Sequence, residues 1–355
     1  MNFTNFLELK IRQNHVLFLL TRLVKRLILF IPRSYDIILN EQKNKQILGF
    51  RQWSKLVFYK IILILAEGKL RHDINERKHN IIRKFISTNY KVISTEDVPS
   101  ITLNNHENCI WVFWWQGQNH FPAIIRTCYE SIIQNSGGKK VILITKENFQ
   151  IYVDIPDALI NRVNEDKMLI AHLSDYVRFK LLYKYGGVWI DSTFFVTQNI
   201  GSNNEFNYDF YSIHYEHPLD DNCVALCRWV SSLLFAKAGN GIMYNIYIIL
   251  EKYMLKYDNL IDYLFIDYLL DFLASNSETY NEVINNIPFN NENSMVLQKK
   301  LPYIYNEKDY CNIINNGTSY FKLTYKTKAK EFIGNKQTYY GYLVNQYNTD
   351  IKPYK

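Results

Sequence analysis

The stretch Ser174-Asp-Tyr-Val-Arg-Phe-Lys-Leu-Leu-Tyr-Lys-Tyr-Gly-Gly-Val-Trp-Ile-Asp-Ser-Thr193 reads as a helix, a glycine stop and a buried strand that carries a carboxylate to its end. Ser174 is suited to cap the helix, because its hydroxyl can accept one of the unpaired N–H groups of the first turn. Val177, Leu181, Leu182 and Tyr185 give the apolar stripe of a helix lying on a sheet. Gly186 can take the left-handed conformation that ends a helix, and Gly187 follows it. Val188, Trp189 and Ile190 make a short, wholly apolar strand with Asp191 at its carboxyl end. In open α/β sheets, ligands bind outside that edge. Asp175 and Arg178 are three apart and share a helical face. With Asp191 they form a constellation suited to the hydroxyls and phosphates of a nucleotide.

The pattern extends to both sides. Cys109–Trp115 (CIWVFWW) predicts a buried strand, 120–134 a helix, Lys140–Thr145 (KVILIT) a second strand, and 147–168 a helix–loop region. Another strand is expected near Phe210–His214, with helices over about 225–256 and 260–274. The Asn-rich interval 275–318 carries few periodic signals and is expected to be irregular. Strand–helix alternation from 109 to 215 argues for a nucleotide-binding α/β sheet.

The chain has 355 residues, of which 48% are hydrophobic and 15% aromatic, enough to bury a large core. Its five cysteines, Cys109, Cys128, Cys223, Cys227 and Cys311, show no metal-type pairing and are expected to be reduced in a cytoplasmic protein. The net charge of +7 is uneven. Residues 1–100 carry 18 Lys and Arg against 8 Asp and Glu, a net of +10, so the remaining 255 residues carry −3. The run His15–Ile31 (HVLFLLTRLVKRLILFI) is strongly apolar but holds Arg22, Lys25 and Arg26. A spanning helix needs about 20 apolar residues almost without charge. This run instead suits a helix lying in an anionic membrane surface with its cations at the headgroups. The second run, Leu56–Leu65, is too short to span. The alternative is that both helices pack on the catalytic core with their charges in water. No nucleic-acid reader motif accompanies the basic residues, so nucleic acid is not an expected partner.

No Gly-rich phosphate loop of either common type is present, so phosphate charge must be met by a metal, by Arg or Lys, or by both. Trp111 and Trp115 alternate in phase on the first strand, and Trp114 faces the other way. An indole leaving the core at the strand end can stack on a base; burial of all three is the alternative. His214-Tyr-Glu-His217 lacks the helical H-E-x-x-H spacing of a zinc site. Asp262, Asp267 and Asp271 are expected on a solvated helix face, although one could reach an acceptor.

These residues resemble the capsular polysaccharide synthesis family of sugar transferases. That family is related to the DXD-containing, family-32-like transferases that include yeast mannosyltransferases and clostridial glucosylating toxins. The resemblance rests on IWVFWWQG (110–117), P-x-x-x-x-x-C-x-x-S (Pro122–Ser131), VILITKEN (141–148), YVDIP (152–156), SDYVRFKLLYKYGGVWIDST (174–193) and FKLTYK (321–326). It implies a GT-A-type α/β fold, with a Rossmann-like nucleotide-sugar-binding sheet over 105–345; residues 1–104, which these motifs do not cover, are expected from their charge and amphipathic pattern to be a helical, membrane-associated region. It also implies a glycosyltransferase that retains anomeric configuration, with Asp191, Arg178 and Asp175 as catalytic residues. Trp114, Trp115, Asp175, Arg178, Gly187, Lys322 and Lys326 would bind the donor. A divalent cation, Mn²⁺ or Mg²⁺, would sit at Asp191 and Thr193. Here the chain departs from D-x-D: its motif is Asp191-Ser192-Thr193, and a neutral threonine is a weak ligand for a hard cation. The implied partners are a nucleotide-sugar donor, a lipid-linked glycan acceptor and the inner face of the cell membrane, where the protein would be peripheral. A sugar-phosphate transferase on the same fold and a non-catalytic member of a polysaccharide assembly complex are the other two classes that the sequence leaves open.

Overall fold

The computed structural model describes residues 15–102, 109–217, 222–326 and 329–347. In the opening helix, the side chains of 15–23, 25 and 26 lie outside the described residues, and with them those of Arg22, Lys25 and Arg26. The expected boundary at 104/105 lies outside them too. The chain divides into two compact units, one of Met1–Tyr90 with Asn259–Tyr268, the other of Lys91–Asp258 with Leu269–Lys355.

The first unit holds helices α1 (His15–Glu41), α2 (Asn44–Ile62) and α3 (Gly68–Asn89). Gly49, at φ 73° and ψ 160°, puts a kink into α2. Leu56, Ile82, Ile86, Ile261 and Phe265 are fully buried. The carboxylate of buried Glu41 accepts from Asn44 Nδ2 at 2.8 Å and Lys60 Nζ at 2.6 Å, and Asn44 Nδ2 also donates to Ile261 O at 2.8 Å. On α1, Val24, Leu27, Ile28, Ile31, Tyr35 and Leu39 recur at steps of three and four, which aligns them in one stripe. Each is 48–77% exposed. Among the described residues, no helix is long and apolar enough to cross a membrane.

The second unit is built on a five-stranded sheet. In chain order its strands are β1 (Ile110–Phe113), β2 (Val141–Ile144), β3 (Gly187–Ile190), β5 (Phe210–Ser212) and β6 (Leu233–Ala236). The spatial order is β2-β1-β3-β6-β5. β1 pairs in parallel with β2 and β3, whereas β6 is antiparallel to both β3 and β5, so four strands point one way and β6 the other. A second, two-stranded sheet pairs β4 (Phe194–Val196) with β7 (Tyr320–Lys322) in antiparallel fashion. The helices of this unit begin with α4 (Ala123–Gln134), α5 (Asp157–Asn164), α6 (Ile170–Tyr185) and α7 (Gly241–Lys256). They continue with α8 (Phe265–Asn276, which the two units share), α9 (Glu278–Asn285), α10 (Val296–Lys300), α11 (Glu307–Ile314) and α12 (Tyr339–Tyr347). α6 packs on α7, and α4 packs on β4 and α12. Every residue of β1 and β3 is buried. Strands covered on both faces read as continuous apolar runs, which is why CIWVFWW and GVWI carry no alternation.

Several expectations are corrected. Ser174 does not cap α6, which starts a turn earlier, with Leu169 at the cap position. Fully buried Leu173 carries the apolar stripe back over that extra turn. The expected helix over 225–256 is instead strand β6, a turn and then α7, whose first N–H groups at Ile242 and Met243 are capped by Asn240 Oδ1 at 2.9 and 3.1 Å. Four apolar residues have no period that tells a strand from a helix. The interval 275–318 contains α9, α10 and α11. Its polar residues partly serve as caps: Ser277 Oγ accepts from Tyr280 N at 3.3 Å, and Asn306 Oδ1 from Asp309 N at 2.9 Å. Asp267 and Asp271 are buried rather than solvated, and Asp271 pairs with Arg228 at 2.6 Å.

The turn from α6 into β3 depends on two glycines. Gly186 has φ 66° and Gly187 φ 90°. A Cβ on Gly187 would lie 2.2 Å from Cys109 O, the carbonyl that accepts the N–H of Val188 at 3.0 Å. Gly187 thus lies at the start of β3, three residues before the strand's far end, where it makes this close backbone approach. Gly187→Ala is expected to destabilise by about 2–6 kcal/mol in urea unfolding, from backbone strain and overpacking together. A loss under about 1 kcal/mol would show that the chain can step away from Cys109.

Candidate active site

β3 ends at Ile190, and the next residues turn sharply, with Phe194 N donating to Asp191 O at 3.0 Å. The main-chain N–H of Asp191 donates to Ser232 O at 3.0 Å, so the start of β6 pins this turn. The Asp191 side chain gathers three donors. Its Oδ1 accepts from Trp189 Nε1 at 2.9 Å and Arg178 Nη2 at 3.2 Å, and its Oδ2 accepts from Lys322 Nζ at 2.8 Å.

Arg178 reaches the strand end from α6. The residue is 4% exposed, and its guanidinium carbon lies 5.1 Å from the centre of the Trp189 ring. Nη1 donates to Ser231 O at 2.6 Å, and Nη2 also meets Asp175 Oδ1 at 3.3 Å. The helical spacing of Asp175 and Arg178 therefore delivers both to one point. Burial works against charge on Asp191. Lys322 and then Arg178 outweigh it, with the hydrogen bonds from Lys322 and Trp189, and hold the carboxyl below the usual range.

Lys322 comes from β7. The β4–β7 register sets it opposite Phe194, three residues past Asp191. Trp114 directly follows β1, and its N–H donates to Ile144 O at the end of β2 at 3.0 Å. Its ring meets those of Phe121 and Tyr325 edge-on at 5.7 and 5.6 Å. In the second unit, three buried side-chain polar atoms have no hydrogen-bond partner among the described residues: Trp114 Nε1, Arg178 Nε and Thr193 Oγ1. All three belong to residues expected to form the site. A buried polar atom left unpaired costs about 1–3 kcal/mol.

Two further expected residues are not brought to the cluster. Trp115 is 5% exposed and packs in the core, stacked on Phe113 at 5.9 Å and leaning on Phe149 at 5.3 Å. Strand phase puts it with Trp111, whose indole donates to Gly186 O at 2.9 Å. Lys326 is exposed and pairs with no carboxylate among the described residues. Conversely, sequence reasoning missed Trp189 Nε1 and the carbonyls of Ser231 and Ser232. The first sits inside an apolar strand, and the other two precede a strand read as helix.

The residues present do not fit a divalent cation. Both carboxylate oxygens of Asp191 already face cationic donors. Among the described residues, no group of three His, Cys, Asp or Glu is placed to hold a metal ion. Thr193 adds a single neutral oxygen, whereas hard cations take six or more oxygen ligands, carboxylates foremost. Two unit charges about 4 Å apart repel by about 4 kcal/mol at an effective dielectric constant of about 20. A divalent ion beside the Lys322 ammonium would roughly double that.

A family model for capsular polysaccharide synthesis proteins matches residues 64–343. The chain is also similar to the O-glycosyltransferase braB of Annulohypoxylon truncatum, at 25% identity over 100 residues, which are 26% of this chain and 24% of that protein. The match thus spans about a quarter of that relative's length. No solved structure matches the chain.

The low pKa of Asp191 adds stability that is complete above the ordinary carboxylate value of about 3.9. That stability is lost as pH falls through the lowered folded value. Asp191→Asn is therefore expected to lower the urea midpoint near neutral pH, with the gap from wild type narrowing in acid below about pH 4. A gap that stays constant across that range would show that the charge of Asp191 does not stabilise the fold.

Proposed function

The chain belongs to the capsular polysaccharide synthesis protein family, and from that premise we propose that it is a retaining glycosyltransferase of GT-A type. It would move a sugar from a nucleotide-sugar donor to a lipid-linked glycan. The observation that carries this reading is the strand-end cluster, where Asp175, Arg178, Asp191 and Lys322 pair their charges, Arg178 Nε is buried without a partner, and so is Thr193 Oγ1 two residues past Asp191. Asp191 and Asp175 offer carboxylate oxygens to donor hydroxyls. Lys322, on the outer oxygen of Asp191, offers charge to the departing diphosphate. Arg178 holds both carboxylates in place. Trp114, with an unused indole N–H, lines the donor's approach.

Catalysis on this reading is electrostatic. The bond from the anomeric carbon to the phosphate oxygen breaks, and the nucleoside diphosphate leaves with that electron pair. The acceptor hydroxyl approaches on the same face and passes its proton to the departing oxygen, so retention needs no separate carboxylate base. The test is release of nucleoside diphosphate from a panel of nucleotide sugars, with product analysis. Asp191→Asn should lower turnover by about 10²–10³, the loss typical of one strong electrostatic group. A phosphodiester product would identify a sugar-phosphate transferase. No release from any donor would identify an inert partner in an assembly complex.

The outward stripe of α1 and the net +10 of residues 1–100 support docking on the anionic inner face of the cell membrane. Apolar side chains would enter the interface while basic residues meet the headgroups. Ile28→Glu with Ile31→Glu in the full chain is expected to abolish flotation with anionic liposomes. Wild-type flotation should weaken with added salt. Equal flotation of the two proteins would remove this stripe from the docking surface.

A further inference from the structure

Lys322 is positioned by backbone pairing. Phe194 stands opposite it in the β4–β7 ladder, and Leu323 N continues the ladder by donating to Thr193 O at 2.8 Å. The main-chain N–H of Lys322 donates to Ser294 O at 2.9 Å, and its ammonium lies 4.8 Å from the centre of the Phe194 ring. From this fixed stem the ammonium meets Asp191 Oδ2 at 2.8 Å, the oxygen that Arg178 leaves open.

Charge at residues 191, 193 and 322 is internally consistent. Carboxylates at both 191 and 193 would carry two negative charges, which one divalent ion neutralises. Asp191 with Thr193 carries a single negative charge, which one ammonium neutralises. With this lysine in place, an aspartate at 193 would leave a negative charge over. With a divalent ion in place of the lysine, Thr193 would leave a positive charge over. The threonine and the lysine therefore suit each other.

The ammonium also has capacity left. It carries three protons, and Asp191 is its only carboxylate partner among the described residues. Its side chain is 25% exposed, so two protons remain for oxygens arriving from outside.

We infer that Lys322 stands where a divalent cation would otherwise sit, so that its ammonium meets the donor's diphosphate and donor binding is independent of divalent cations. This rests on the donor reading above, and the test separates the two.

Full-length wild-type protein is titrated with Mn²⁺ alone, following free Mn²⁺ by electron spin resonance. Calorimetry then measures affinity for UDP, GDP, CDP and ADP in EDTA and in excess Mg²⁺ or Mn²⁺. The expected results are no saturable submillimolar Mn²⁺ binding and a diphosphate affinity that the cation leaves unchanged. Lys322→Ala should lose at least tenfold in that affinity while keeping its affinity for the matching uncharged nucleoside, because an ammonium binds phosphate as a point charge. The double variant Lys322→Ala with Thr193→Asp should gain saturable Mn²⁺ binding.

Saturable Mn²⁺ binding by wild type, or a tenfold loss of diphosphate affinity in EDTA, would overturn the inference and leave the donor reading standing. Unchanged diphosphate affinity in Lys322→Ala, or no Mn²⁺ binding by the double variant, would do the same. If none of the four diphosphates binds, with or without cation, the donor reading fails and the inference falls with it.

Discussion

An arginine buried to 4% exposure, Arg178, sets the terms for the second unit. A buried ion pair stripped of one partner costs about 3–5 kcal/mol. Three elements must therefore converge on Arg178: α6 through Asp175, the end of β3 through Asp191, and the start of β6 through Ser231 O. The chain must also double back within the twelve residues between Arg178 and Asp191. Gly186 and Gly187 make that reversal possible. Beta carbons there would lie 2.6 Å from Ala238 N and 2.2 Å from Cys109 O. The specificity of the GGVWID run thus has a steric origin at its glycines and an electrostatic one at its aspartate.

The cluster satisfies its charges and leaves some of its dipoles unsatisfied. Asp175, Arg178, Asp191 and Lys322 balance one another, so the folded protein carries no stranded ion at the sheet edge. Trp114 Nε1, Arg178 Nε and Thr193 Oγ1 are left over, at buried positions that water does not reach. A ligand able to pair with them would have to displace the side chains that cover them.

Much of this was legible in the sequence because the decisive features are local. The spacing from Asp175 to Arg178, the glycine pair and the apolar run before Asp191 predict the helix, the turn and the strand. What escaped is non-local or too short. β6 has four apolar residues and no period, so it read as part of a helix, and its carbonyls at Ser231 and Ser232 could not be assigned to the site. Trp189 looked like a core residue, and it is one, but its indole N–H points at Asp191. Family likeness points Trp115 toward the donor, whereas strand phase pairs it with Trp111 in the core. Lys322 was marked only by the motif FKLTYK, since nothing local tells that β7 lies beside β4. The Asn-rich interval misled because asparagine is common both in loops and at helix caps.

The clasp between β4 and β7 bears on how the protein matures. Lys322 and Asp191 are separated by 131 residues. Closing a loop of that length costs on the order of 4 kcal/mol in chain entropy, whereas a partly exposed ion pair returns about 0–1 kcal/mol. The pair cannot draw the segments together. The ladder and the fully or nearly fully buried rings of Phe194, Phe195, Tyr320 and Phe321 must do so first. On the ribosome, Arg178 and Asp191 emerge and can fold with β3 and β6 well before residue 322 is made. A nascent chain therefore holds a sheet edge without its outer cation until residue 322 has been made and β7 has joined β4.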